Sequence, residues 1–131
     1  MIPRYRAWNK ATKEMHEVDD IVSIDFGKSE ICVKTLFFGK FSYYDLDDIV
    51  FMQSTGLTDK NGKEIFEGDI IAIEVEDIEA PINAKVFCNN EIGVLMFHVF
   101  EDNEDVPMVE LLEDNSVAFA VAGNIFQSWQ R

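Results

Sequence analysis

Apolar and polar residues alternate with a period of two along most of the chain, and β-branched and aromatic residues fill the apolar positions. Tyr5-Arg6-Ala7-Trp8 reads as a first strand, Asn9 to Glu14 as a polar connection, and Met15 to Val18 as its hairpin partner. Ile21 to Phe26 is a third strand. Its alternation sets Val22, Ile24 and Phe26 on one face and Ile21, Ser23 and Asp25 on the other. Gly27-Lys28-Ser29 is a turn, Glu30 to Phe38 a fourth strand, Gly39-Lys40 another turn and Phe41 to Tyr44 a fifth strand. Asp45-Leu46-Asp47-Asp48 has the length and polarity of a single helical turn, and Ile49 to Gln53 continues extended.

The pattern continues beyond Gln53. Gly56-Leu57 predicts a tight turn. Asn61-Gly62 predicts a two-residue type I′ hairpin, which takes positive φ at both central positions. Gly68-Asp69 predicts a turn launching Ile70 to Glu76, with Ile71, Ile73 and Val75 on one face and Asp69 capping the bend. Asn89-Asn90 with Gly93 is a further turn. Ile92 to Phe100 is apolar on both faces and reads as a central strand. Glu101 to Asp105 is a solvated loop, and Met108 to Leu112 and Val117 to Val121 are strands around Glu113-Asp114-Asn115. Gly123-Asn124 turns the chain into its tail. Gly56, Gly62 and Gly68 set turns, and Trp8, Phe66 and Phe126 are core candidates. Helical spacing is never sustained over three turns. The fold class is therefore mainly β, with N-terminal antiparallel hairpins or a small sheet packed with a C-terminal β unit and at most one or two short helices; a Gly-Asp pair launching an apolar alternating strand is a feature shared with small SH3-like β-barrels.

Charge divides the chain. Residues 1–60 carry eight basic and ten acidic side chains, net −2; residues 61–131 carry three basic and 15 acidic, net −12. With the turn-rich segment that follows Gln53, this places a boundary between an N-terminal β subdomain, 1–52, and a second subdomain, 53–131. The total of −14 over 131 residues argues against general phosphate neutralisation and against docking on anionic lipid. The longest apolar stretch, Ile92 to Phe100, is less than half of the roughly 20 residues a membrane helix takes. No secretory pattern follows the basic start, so the expected location is the cytoplasm in which the chain is made. Cys32 and Cys88 read as buried thiols.

Catalytic chemistry finds little to stand on. His16 and His98 have no metal-ligand spacing, and there is no H-E-x-x-H motif, nucleophile elbow or phosphate-binding glycine loop. Asp45, Asp47 and Asp48, like Asp102, Glu104 and Asp105, could supply oxygens to a hard cation, but read as solvated loops. Asp59-Lys60-Asn61-Gly62-Lys63-Glu64 imitates the start of a calcium loop and fails where glycine and a final acid belong, at Glu64 and Ile70. No catalytic residue, cofactor-binding residue or metal ligand is nominated, and no cofactor is expected.

Three stretches together resemble one family. These are Tyr5-Arg6-Ala7-Trp8-Asn9-Lys10; the long string from Met52-Gln53-Ser54-Thr55-Gly56-Leu57 to Gly68-Asp69-Ile70; and Val121-Ala122-Gly123-Asn124-Ile125-Phe126. They resemble the YopX family of phage and prophage proteins, over essentially the whole chain. The chain departs from that pattern at Thr58, at Ala122 and in the tail Gln127-Ser128-Trp129. The resemblance implies a mostly β structure with an SH3-like barrel in the C-terminal subdomain, 53–131, self-association, and no catalytic residues to carry over. The expectation is a non-enzymatic phage accessory protein working through protein–protein contacts as a homo-oligomer, with a host or phage protein as partner. Two alternatives stand beside it. One is an acidic DNA mimic, which requires the C-terminal charge to gather on one face. The other is a nucleic-acid-binding regulator using Arg4, Arg6, Lys10 and Lys13 beside the rings of Tyr5 and Trp8. Nucleic acid is disfavoured by charge, and no membrane partner is expected.

Overall fold

A computed structural model describes residues 4–35, 39–114 and 116–127. The chain is mainly β and antiparallel, and divides into two compact units, residues 1–53 and 54–131. Among the described residues no helix is long and apolar enough to cross a membrane.

In the N-terminal unit, β1 (Tyr5–Asn9) lies between β2 (Glu14–His16) and the first part of β6 (Ile49–Thr58), with Trp8 opposite both Met15 and Val50. The strands β3 (Ile21–Asp25), β4 (Glu30–Lys34) and β5 (Phe41–Asp45) form a second, three-stranded sheet in sequence order. Alternation explains β4: Ile31 and Val33 are buried in a core with Ala7 and Ile49, and Ile21, Ile24, Tyr44, Leu46 and Phe51 pack around them. Trp8 is buried as expected. The β1–β2 connection is organised by Asn9, which is fully buried; its Oδ1 accepts from the backbone N–H groups of Ala11 and Thr12. The Asp45–Asp48 segment is a 3₁₀ turn, with the Asp45 carboxylate accepting from Asp47 N–H.

Strand β3 departs from strict alternation. A register shift between Ile21 and Ser23 turns Ile21 and Ile24 both inward and leaves Val22 and Phe26 exposed, so the expected grouping of Val22, Ile24 and Phe26 does not hold. A bulge adds one residue, and everything beyond it changes face. Strand β4 ends at Lys34; the remainder of the expected strand, Leu36 to Phe38, lies outside the described residues.

The C-terminal unit contains the rest of β6, β7 (Glu64–Phe66), β8 (Asp69–Val75), β9 (Ile82–Asn89), β10 (Val94–Val99), β11 (Glu104–Pro107), α1 (Met108–Leu112) and β12 (Val117–Asn124). Five strands form one sheet in the order β11-β10-β9-β8-β12. Its inward face supplies Ile71, Ile73, Ala84, Val86, Phe97 and Val99 to a core completed by Ile65 and Met108. Phe97, with no exposed surface, stacks on Phe119 at 5.5 Å between ring centroids. A fully buried ring of this kind stabilises the fold by about 3 kcal/mol.

Several expectations for this unit are corrected. The tight turn at Gly56-Leu57 is absent: β6 runs on to Thr58, and Gly56, at φ 79°, sits in a bulge between Ser54 and Thr58. Glycine here lets a continuous strand bend, without reversing it. The Asn61-Gly62 hairpin exists but is not type I′. Only Gly62 has positive φ, Gly62 N–H donates to Asp59 C=O, and Asp59 N–H donates to Lys63 C=O. This is a turn closed by one left-handed glycine. Strand β9, central in the sheet, carries Asn83, Lys85 and Asn89 between small or aliphatic inward residues, which mutes its apolar signal. Strand β10 is shorter than expected, lies second from the sheet's edge, and leaves Ile92 exposed. Glu104 and Asp105 belong to β11, not to a loop.

The largest local difference is at Met108–Leu112, a helical turn and not a strand. Met108 is buried and Leu111 packs against the same core, a spacing of three that places both on one side of a helix. Pro107 is well placed to precede it. The turn expected at Gly123-Asn124 comes one step later. β12 includes Asn124, whose Oδ1 then accepts from Phe126 and Gln127 N–H; Phe126 is half-buried.

Candidate functional site

The segment from Thr55 to Ile70 is the most distinctive in the sequence, and its side chains Thr55, Asp59 and Asp69 are bound to backbone. Thr55 Oγ1 donates to Ile65 C=O at 2.7 Å and accepts from Leu57 N–H. Ser54 Oγ donates to Glu64 Oε2 at 2.6 Å and accepts from Gly56 N–H. Asp69 is buried, and its Oδ2 accepts from Phe66 N–H at 2.8 Å, the bend cap expected from the Gly-Asp pair. Gly68 N–H donates to Val86 C=O and its C=O accepts from Ile125 N–H, joining β9 to the chain beyond β12.

Asp59 ties the segment down. Its Oδ1 accepts from Asn61 N–H at 2.9 Å and Lys63 N–H at 2.8 Å, while its Oδ2 accepts from Val121 N–H at 2.9 Å. Burial pushes this carboxyl up, but the bonds from Val121, Lys63 and Asn61 outweigh it and hold the group below its ordinary value. Beside it, Lys60 N–H donates to Phe119 C=O. The turn thus docks on the open edge of β12. The carboxylate that imitates a calcium ligand in the sequence is a backbone clamp.

Two further acidic groups from the candidate clusters are also engaged. Asp45 holds its 3₁₀ turn, and Asp105 pairs with His98, Oδ1 to Nδ1 at 2.7 Å, across β10 and β11. His16 is buried; its Nε2 lies 3.3 Å from Asn9 Nδ2 and its ring stacks on Tyr44. Among the described residues no three His, Cys, Asp or Glu side chains converge as a metal set. Neither Cys32 nor Cys88 is in a disulfide; Cys32 is buried and Cys88 half-buried. A hydrogen bond to the Cys32 thiol pushes the hydroxyl of Tyr43, opposite it across β4 and β5, above its ordinary value.

The basic–aromatic grouping at the N-terminus does not form the platform its spacing suggests. Arg6 and Trp8 are both buried, with Arg6 Nη2 3.7 Å from Met52 Sδ. Arg4 and Tyr5 instead line a recess of about 170 Å³ with Val18, Ile21 and Ile24. That is smaller than the roughly 300 Å³ at which ordinary small-molecule sites begin.

Two surfaces are more informative. The first is the outer side of the β3-β4-β5 sheet. Register places Glu30 opposite Asp45, Cys32 opposite Tyr43 and Lys34 opposite Phe41 on this side. Phe41 is 53% exposed and Tyr43 64%, and Phe26 in the adjoining turn reaches 80%. Among the described residues, every exposed aromatic ring (Tyr5, Phe26, Phe41 and Tyr43) belongs to the N-terminal unit. The second surface is one end of the five-stranded sheet. Antiparallel pairing brings the β8–β9 turn, the β10–β11 turn and the link from α1 to β12 to the same end, and Glu76 N–H donates to Ser116 C=O between two of them. These segments carry Glu76, Asp77, Glu79, Glu101, Asp102, Glu113 and Asp114, with no lysine or arginine among them.

The family model for YopX protein matches residues 4–130. The chain belongs to the YopX family. Among solved structures, this YopX-family chain is similar to protein EF1440 from Enterococcus faecalis, with 28% identity, a TM-score of 0.63, and coverage of 96% of this chain and 94% of that one. It also resembles in fold protein yopX from Bacillus subtilis, with 20% identity, a TM-score of 0.64, and coverage of 95% and 94%. No curated protein matches the chain.

The segment from Thr55 to Ile70 is therefore a folding element, in which Asp59 and Asp69 bind backbone N–H groups. The Gly68-Asp69 pair marks Asp69 in the sequence. What sequence reasoning missed was the reach of Asp59 to Val121, 62 positions away, and the outward rings of β5. The signal for the first was an aspartate opening a turn that ends in glycine.

Proposed function

We propose that this YopX-family protein is a non-enzymatic accessory protein of phage or prophage origin that acts in a host cell through protein–protein contacts, as a homo-oligomer. One observation carries this reading: the exposed rings are concentrated on one unit, and they include neighbours on a sheet face. Exposed aromatic side chains gathered in this way are the material of contact surfaces. The engagement of Asp45, Asp59 and Asp69 with backbone groups supports a structural role for the polar residues. Light scattering coupled to size exclusion tests the oligomer. The expected result is a mass above that of one chain that falls on dilution, and a strict monomer at tens of micromolar contradicts it. Affinity capture from infected cells, compared with a Phe41→Ser/Tyr43→Ser variant, tests the partner surface; equal capture by both contradicts its use.

A second reading is favoured by the acidic end of the C-terminal sheet. An acidic surface of this kind suits a basic partner, including a host DNA-binding protein whose duplex site it would mimic. Displacement of duplex DNA from such a protein at physiological salt is the expected result. Displacement that vanishes above low salt contradicts a specific mimic.

A further inference from the structure

Among the described residues, the sheet edges are guarded, with one exception. Strands β2 and β7 are three residues long. β3 carries a bulge. β11 holds Glu104, Asp105 and Pro107. β12 carries a bulge, and the Asp59 carboxylate and Lys60 N–H bind its edge. Short length, bulges, charge, proline and covering loops are the usual ways of preventing edge-to-edge pairing. β5, Phe41-Ser42-Tyr43-Tyr44-Asp45, has the fewest of these: its pairing with β4 is regular over five residues, it holds no bulge, proline or lysine, and its one charge, Asp45, stands at its end. Among the described residues its backbone bonds along the ladder only to β4, and its other edge is open.

We propose that β5 pairs antiparallel with β5 of a second copy of this chain, joining two three-stranded sheets into one of six strands about a two-fold axis at Tyr43. The strand is self-complementary in this arrangement. Tyr43 faces Tyr43 of the second copy, Ser42 faces Tyr44, and Phe41 faces Asp45. Charge favours the same direction. Lys34 lies directly across from Phe41, so the second copy's Asp45 stands two strands from Lys34, about 10 Å between backbones. A lysine and an aspartate side chain together span that gap. The acidic end of the face, Glu30 with Asp45, thereby meets the only basic residue on the outer face of β4 and β5. A parallel pairing would set Asp45 beside Asp45. Five paired residues make a small contact, at the low end of interface sizes, and the association is expected to be micromolar or weaker.

This rests on the homo-oligomer reading above and supplies its surface. Sedimentation equilibrium of the full chain, from micromolar to submillimolar concentration, tests it with two variants. Tyr43→Lys puts like charges at the two-fold centre of a strand whose side chain is exposed. Phe26→Lys removes a still more exposed ring away from the edge. The expected result is reversible wild-type dimerisation, weakened at least about tenfold by Tyr43→Lys and unchanged by Phe26→Lys, with melting temperatures alike. Wild-type dimerisation that Tyr43→Lys leaves intact overturns the β5 pairing while the homo-oligomer stands. A wild type that stays monomeric throughout overturns both.

Discussion

The two units of this chain use their aromatic residues and their charge in opposite ways. The N-terminal unit is close to electrically neutral and presents rings to solvent. The C-terminal unit carries nearly all of the net negative charge, and among its described residues the rings are buried or half-buried, as at Phe66, Phe97 and Phe119. A buried ring stabilises its own fold, whereas an exposed ring held on a regular strand contributes little to it and is available to another molecule. The contacts proposed above accordingly fall on the first unit. The second supplies a charged exterior and the Thr55–Ile70 segment, whose turn at Asp59 folds against the edge of β12.

The sharpest way to break this comparison is to remove a ring from each unit. Phe97→Ala empties the centre of the C-terminal core and is expected to cost about 3–5 kcal/mol in denaturant unfolding. Tyr43→Ser, on the open sheet face, is expected to cost under about 0.5 kcal/mol. Comparable losses would show that the β5 rings are structural after all.

Next in size is Asp59. Asn in its place keeps one accepting oxygen but turns an amide N–H₂ toward backbone donors, and Asp59→Asn is expected to cost about 1–3 kcal/mol at neutral pH. Because the folded-state pKa of Asp59 is held below 3.8, its contribution is complete above that value and is lost as pH falls through the depressed one. The stability gap between wild type and variant therefore narrows on acidification below about pH 4. A gap that is constant with pH would mean that the carboxylate's charge plays no part in the clamp.

The smallest effect belongs to Lys60. Its Nζ pairs with Glu74 at 2.7 Å, but both side chains are more than 40% exposed. Lys60→Ala is expected to change stability by about 0–1 kcal/mol, less in high salt, since its backbone bond to Phe119 remains. A larger loss would place more of the β12 edge lock in this side chain than in Asp59.

Much of the fold is legible in the alternation. The strands of the N-terminal unit, Ile71, Ile73 and Val75 facing one core, and the Gly68-Asp69 bend can all be read directly. What escapes has local causes. Met108 to Leu112 is short enough to satisfy both a strand and one helical turn, and only the common burial of Met108 and Leu111 decides between them. Glycine at position 56 signals a departure from ordinary backbone, yet a bulge and a reversal make the same demand on it. The β3 bulge inverts a face pattern that alternation alone must read as regular. The clamp from Asp59 to Val121 spans 62 positions, and no periodicity carries that information. The open edge of β5 is a property of the neighbours it lacks, visible only once every other strand has been placed.

Amide hydrogen exchange along β5, followed as a function of protein concentration, tests the central claim most directly. Pairing with a second copy predicts that the outward-facing N–H groups of residues 41–45 gain protection as concentration rises into the dimeric range, while those of β3 do not. Concentration-independent exchange in β5, in a sample that light scattering shows to be associated, would contradict it.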